Sequence, residues 1–287
     1  MKSIYFIFTT FVFVSQSICA QVNLLNANDP SEIGVLSEKQ KKELSEKKFL
    51  EFPFVDEKDI MWSKIVYEEI DLSEKFNHPL FFPDDKLYKN ERKSMWFAIR
   101  QAILDNKIEK IYAGENPNFS DLITYDRALE IIQNKKWDLL ISSQDISSYI
   151  IKGVWYVDKR YGQLNYRLLG IQPVSNIDIG VEVDALENGT ESQNKDAKTP
   201  LFWLWYKDLR PILHNQLVFD DKNNAKRISF DQLLITRRFT SRIIGVDNVF
   251  NDRAINRYVV DDPFMQLIES ERLKTVIRDF EQDLWAN

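Results

Sequence analysis

Two histidines, His78 and His214, a single cysteine, Cys19, and eight scattered glycines limit the chemistry open to this 287-residue chain. A catalytic zinc ordinarily takes three protein ligands rich in His or Cys. Both histidines would therefore have to meet a carboxylate from elsewhere, and His78 beside Pro79 reads instead as a loop packing residue, His214 as a helix-end residue. The glycines lie too far apart for a GxGxxG turn, a P-loop or a GxSxG elbow, so those nucleotide and serine-hydrolase motifs are absent. No cofactor is expected. Carboxylates are what remain. Glycoside hydrolysis needs only two of them across a cleft, and Glu68 with Glu69 is the obvious pair, yet neighbours on a helix diverge by about 100° and do not converge on one bond. Asp158 at a hairpin tip and Glu182 or Asp184 in an acidic loop stand as acids without an identifiable partner. That loop has no calcium-loop spacing. The sequons Asn118-Phe119-Ser120 and Asn188-Gly189-Thr190 mark polar loops.

The elements that would position such residues begin after a secretory leader. Lys2, the apolar run Ile4 to Val14 and the small-residue end at Ala20 read as a signal peptide over 1–20. Bulky Ile18 argues against a lipid-modified Cys19. Removal of the leader takes away the only cysteine, so stability must come from a buried core, for which 44% hydrophobic and 13% aromatic residues are ample. A net charge of −6 argues against a nucleic-acid ligand, because phosphate binding wants a basic footprint. Residues 21–55 form a polar, lysine-rich arm with a capping-box pattern at Ser37. Residues 56–287 read as a single globular domain.

Within that domain, Asp56 as cap and Trp62, Ile65, Val66 and Ile70 at helical spacing predict an amphipathic helix. Pro79 and Pro83 then bound Leu80-Phe81-Phe82, predicted to run extended. A second helix is predicted from near Asn90, with Met95, Ile99, Ala102 and Ile103 as its stripe, and a third from Tyr125 to Gln133. Tyr149, Ile151, Trp155 and Val157 share one parity; after a turn at Lys159 to Gly162, Leu164, Tyr166 and Leu168 alternate with polar residues, which is a hairpin. Residues 182–198 read as a long polar loop. Pro200 to Tyr206, apolar on both faces, is a central strand or one covered by a partner. Ser229 opens a short helix, and Asp262 with Pro263 opens a long terminal one bearing Leu273, Val276, Ile277, Phe280 and Leu284. The fold class is therefore α+β: an antiparallel sheet with a central hairpin, packed by several helices, with a long C-terminal helix.

Many aromatics without a visible catalytic site point toward association, since interface cores favour Trp, Tyr and Phe. Three blocks carry a resemblance. Met61 to Pro83 holds an aromatic start, Glu68-Glu69-Ile70-Asp71-Leu72 and a proline-bounded aromatic exit. Tyr149 to Val174 holds Trp155, Asp158-Lys159-Arg160, Arg167, Ile171 and Pro173. Ser229 to Tyr258 holds Phe230, Arg237-Arg238-Phe239, Ser241, Asn248, Asp252-Arg253 and Tyr258. Their content and order resemble the GldN/PorN family of the type IX secretion and gliding motility machinery, although Glu68 stands where the family pattern has a basic residue. The resemblance implies a non-catalytic subunit of a periplasmic ring, exported by a cleavable signal peptide and associated with the inner face of the outer membrane. Its implied partners are a ring-forming outer-membrane lipoprotein with a formylglycine-generating-enzyme-like fold, the periplasmic part of the inner-membrane motor, and copies of itself.

The acidic first block and the basic third block, in an acidic chain, suggest electrostatic docking. The candidate interface is Trp62, Tyr67, Glu68, Glu69, Asp71, Phe81, Phe82, Arg237, Arg238 and Phe239; local salt bridges inside one subunit are the competing reading. A secreted glycan-binding or glycan-cleaving protein, using carboxylates and aromatics, is the functional alternative.

Overall fold

The structure, a computed structural model, describes residues 51–83, 93–134, 139–177, 198–218, 228–249, 252–260 and 262–286, together with Lys42 and Phe49. The leader, the capping box at Ser37, the helix start at Asn90 and the acidic stretch 182–197 lie outside these residues. Contacts gather Lys47–Asn287 into one compact unit.

The chain's first long element corrects the predicted helix. Asp56 does act as a cap, accepting a bond from the Lys58 amide, but only for a single turn at Glu57–Asp59. Strand β1 follows at once, Ile60–Asp71. Its β-branched and aromatic residues suit a pleated surface. Both of its faces are covered, so strict alternation is lost and apolar residues fall by chance at helical spacing. A second correction concerns the proline-bounded stretch. His78–Phe81 form one helical turn, α1, with Pro79 in its first positions, where a missing amide hydrogen costs nothing; only Phe82, before Pro83, is extended.

Helices α2 (Met95–Leu104) and α3 (Tyr125–Ile132) are capped by Ser94 and Thr124. The expected stripe of α2, Met95, Ile99, Ala102 and Ile103, is buried. Between them runs the short strand β2, Ile111–Ala113, and after them a two-stranded ribbon of β3 (Gln133–Asn134) and β4 (Leu139–Leu140). The predicted hairpin is present as β5 (Ile146–Asp158) and β6 (Gln163–Ser175). Its turn is closed by amides of Tyr161 and Gly162 donating to the Asp158 carbonyl, and Gly162 has the positive φ, 59°, that the turn requires. Strands β7 (Thr199–Pro200) and β8 (Phe202–Trp205) lead into helix α4 (Tyr206–His214). Helix α5 (Phe230–Ile235), strand β9 (Arg242–Val246), helix α6 (Ile255–Tyr258) and the long α7 (Pro263–Ala286) complete the chain.

Among the described residues, seven strands form one antiparallel sheet in the order β2-β8-β6-β5-β1-β9, with β7 also on β6. The register puts Trp62, Val66, Glu68 and Ile70 of β1 on the same face as Tyr149, Ile151, Gly153 and Trp155 of β5. At the β8 end this face packs against α2, α4 and α5 in the main core, which includes Trp96, Phe202, Leu204, Tyr206 and Phe230. At its other end a smaller cluster of Val66, Ile243 and Ile277 seats α7, with Trp62 stacked on Phe280 at 4.5 Å. Gly153 marks the join: a Cβ there would lie 2.1 Å from the Tyr166 hydroxyl, so the absence of a side chain lets that ring lie flat on the sheet.

The double-sided strand β8 is explained within the chain. Phe202 and Leu204 enter the main core, while Phe119 meets Trp203 and Trp205 edge-on at 5.8 and 5.0 Å from the other side. Helices α4 and α5 are joined by a buried charge network in which Asp231 accepts from Tyr206 Oη at 2.8 Å and Arg210 Nε at 2.9 Å. No helix among the described residues is long and apolar enough to cross a membrane.

Candidate interaction surface

Glu68 and Glu69 sit side by side on β1, and the strand sends them to opposite faces of the sheet. Both are buried, with 2% and 7% of their surface exposed, so neither lies on a solvated face. Burial of a carboxylate is costly unless a cation and hydrogen bonds answer it. For Glu68 the answer is Arg237, whose Nη2 donates to Oε2 at 2.7 Å, together with the hydroxyl of Ser241. For Glu69 it is Lys198, donating to Oε1 at 2.9 Å, and Arg242, whose Nε and Nη2 donate to Oε2 at 2.9 and 2.6 Å. Burial works to raise the Glu69 pKa, but the hydrogen bonds from Lys198 and Arg242 outweigh it and hold the group below the usual carboxylate range.

Arg237 reaches Glu68 because of how α5 ends. The amide of Arg237 donates to the Leu234 carbonyl and that of Arg238 to the Leu233 carbonyl, the paired bonds of a Schellman turn. This turn asks for a left-handed residue just past the helix, normally glycine, and Arg237 fills it with φ 50°. The backbone strain is accepted where the side chain has much to do. Its guanidinium lies 4.2 Å from the Tyr166 ring centre and 5.2 Å from those of Trp155 and Phe239. Arg238, one residue on, faces solvent.

The acidic and basic blocks therefore meet inside one subunit, along the β1–β9 ladder. The contact continues past the strand ends. Asn77 Nδ2 donates to the carbonyls of Asp71 at 2.7 Å and Thr240 at 3.0 Å, and the Thr240 amide donates back to Asn77 Oδ1 at 2.8 Å. This clasp joins the loop after β1 to the loop before β9. On its outside lie Phe76, 61% exposed, and Phe82, 39% exposed, the latter edge-on to Phe81 at 4.8 Å. Asp71 is half-buried and caps Ser73.

Of the ten sequence candidates, Tyr67, Glu68, Glu69 and Phe239 are buried, Trp62, Asp71, Phe81 and Arg237 are partly buried, and Phe82 and Arg238 are exposed. The Tyr67 phenol is pushed up to about 12, by burial first and then by the charges of Asp252 and Asp247. Its neighbour across the ladder, Lys152, donates to the Pro117 carbonyl at 2.9 Å and Asn118 Oδ1 at 3.2 Å, under the Tyr67 and Phe119 rings. Sequence reasoning passed over Lys152, Lys198 and Arg242. Arg242 had a signal, since it extends the basic run of Arg237 and Arg238; Lys198, beside a polar loop, had none.

The other carboxylates weighed for catalysis are also engaged or lie elsewhere. Asp158 is held below the usual range by hydrogen bonds from Arg160, at 2.8 Å to Oδ2 and 3.1 Å to Oδ1, while Glu182 and Asp184 lie outside the described residues. Among the described residues no three His, Cys, Asp or Glu side chains gather as a metal site.

Comparison with known proteins bears out the family resemblance. The family model described as gliding motility associated protein GldN matches residues 55–286. No curated protein matches the chain. With the match running from the start of the sheet to the end of α7, the chain belongs to the GldN family of gliding motility associated proteins.

Proposed function

We propose that this chain is a non-catalytic structural subunit of a periplasmic ring in the type IX protein secretion and gliding motility apparatus. In this reading it is exported by a cleavable signal peptide and assembles at the inner face of the outer membrane with copies of itself and a ring-forming lipoprotein of formylglycine-generating-enzyme-like fold. It also meets the periplasmic part of the inner-membrane motor. Family membership over residues 55–286 is the observation that carries the proposal. The disposition of the charged blocks supports it, because carboxylates that a hydrolase would present in a cleft are here committed to Arg237, Arg242 and Lys198.

Seven of the ten candidate residues divide by role. Tyr67, Glu68, Glu69, Arg237 and Phe239 fix the β1–β9 joint from inside. Phe82 and Arg238, with exposed Phe76, are the docking residues, where exposed aromatics and a cation are the residue types that anchor interfaces. Blue-native electrophoresis of detergent-solubilised envelopes, probed for this chain, tests the proposal. A high-order species containing the lipoprotein is expected. A monomer in envelopes of secreting cells would overturn it, and retention of that monomer on a polysaccharide matrix would favour the glycan reading.

A further inference from the structure

On the sheet face opposite Glu68, buried Glu69 holds two cations at the mouth of a groove of about 360 Å³. Its carboxylate side chain is 8% exposed, whereas Lys198 and Arg242 are 47% and 48% exposed, so the cations lie toward solvent and the anion behind them. Two cations on one carboxylate leave an excess of positive charge, in a chain whose net charge is −6. Among the described residues, Arg242 Nη1 and the remaining hydrogens of Lys198 have no partner. The groove floor is apolar, formed by Ile150, Val174 and Ile255.

These features belong together chemically. Glu69 grips Arg242 through Nε and Nη2, which fixes the plane of the guanidinium and turns Nη1 outward. A cation so pre-oriented loses little freedom on meeting an anion, and a planar carboxylate matches its donor fork. The cavity has the size of a small-ligand site, large enough for an apolar side chain beside the charge. We infer that this groove binds a peptide carboxylate flanked by an apolar side chain. The carboxylate comes from an Asp or Glu side chain or from a chain terminus. The site is independent of the ring proposal, being on the other face of β1 from Arg237.

The test uses three short peptides titrated into the mature protein by calorimetry, with backbone amide shifts of Ile244 and Ala254 followed by NMR. They are acetyl-Gly-Val-Glu-Val-amide, acetyl-Gly-Val-Gln-Val with a free C-terminus, and acetyl-Gly-Val-Gln-Val-amide. At least one carboxylate peptide is expected to bind about tenfold more tightly than the neutral one, and which of them does so names the source of the anion. The preference should shrink as salt rises from about 50 to about 500 mM, because the cations are half-exposed. Lys198→Gln, which leaves Arg242 paired with Glu69, should weaken the preferred peptide about fivefold. Equal binding of all three peptides, no binding by any, or full binding by a folded Lys198→Gln variant would overturn the inference.

Discussion

Arg237 joins two facts that rarely coincide, a left-handed backbone without glycine and a cation committed to a buried carboxylate, and substitution separates them. Arg237→Ala removes the partner of Glu68, 2% exposed, and keeps the strained backbone. Breaking a buried pair from one side costs about 3–5 kcal/mol, because the remaining charge stays buried. Arg237→Gly loses the same partner but relieves the left-handed strain, about 1–2 kcal/mol. Glycine gives back about 0.5–1 kcal/mol through its freer unfolded chain. Gly should therefore be the milder replacement by about 0.5–1 kcal/mol, although it is the smaller side chain. Urea unfolding followed by tryptophan fluorescence reads both effects. With a slope near 2 kcal/mol/M, Arg237→Ala should lower the midpoint by about 1.5–2.5 M. In a Glu68→Gln background the same change should cost about 1–2 kcal/mol less, since no buried charge is then stranded. An Arg237→Ala stability within about 0.5 kcal/mol of the parent, or an alanine variant more stable than the glycine one, would refute this account of the joint.

Arg238→Glu, at an exposed position, should change stability by less than about 0.5 kcal/mol yet weaken ring co-purification; intact rings from that variant would remove Arg238 from the docking residues. For Glu69, the folded pKa lies below the unfolded value of about 4.3, so its contribution is present above that pH and is lost as pH falls through the folded value. The stability gap between the parent and Glu69→Gln, measured by urea midpoints, should be full at about pH 6–7 and close below about pH 4; a gap that widened in acid would contradict the pairing. Gly153→Ala forces a Cβ to within 2.1 Å of the Tyr166 hydroxyl and should cost about 1–3 kcal/mol by overpacking, with a neutral thermal shift counting against the close stacking.

Much of the fold was legible where one physical signal dominated. The β5–β6 hairpin shows alternation because its two faces meet different surroundings, and Ser229 and Asp262 announce helix starts through their own side-chain bonds. The first strand was hidden for the converse reason. With α7 and the main core on one side and the Tyr67, Phe119 and Lys152 cluster on the other, β1 is apolar on both faces, and its period cannot be read. The charged blocks were visible as composition, but their meeting is a matter of register across 169 residues between Glu68 and Arg237. Arg237 was further disguised because a Schellman turn advertises itself through glycine.

The placement of Glu68 and Glu69 also has a mechanical consequence. Adjacent carboxylates are tethered on opposite sides of β1 to Arg237 and Arg242, which bracket the entry to β9, so β9 cannot be rolled off about the strand axis by breaking one side first. The outer edge of β9 in turn holds α7, through the Ile243 amide donating to Ser270 Oγ at 2.8 Å. A pull or twist applied along that 24-residue helix is thus delivered to the β9 edge of a wide sheet through a joint pinned on both faces. Helix and sheet should swing as one stiff lever, with compliance displaced to the loops beyond the strand ends.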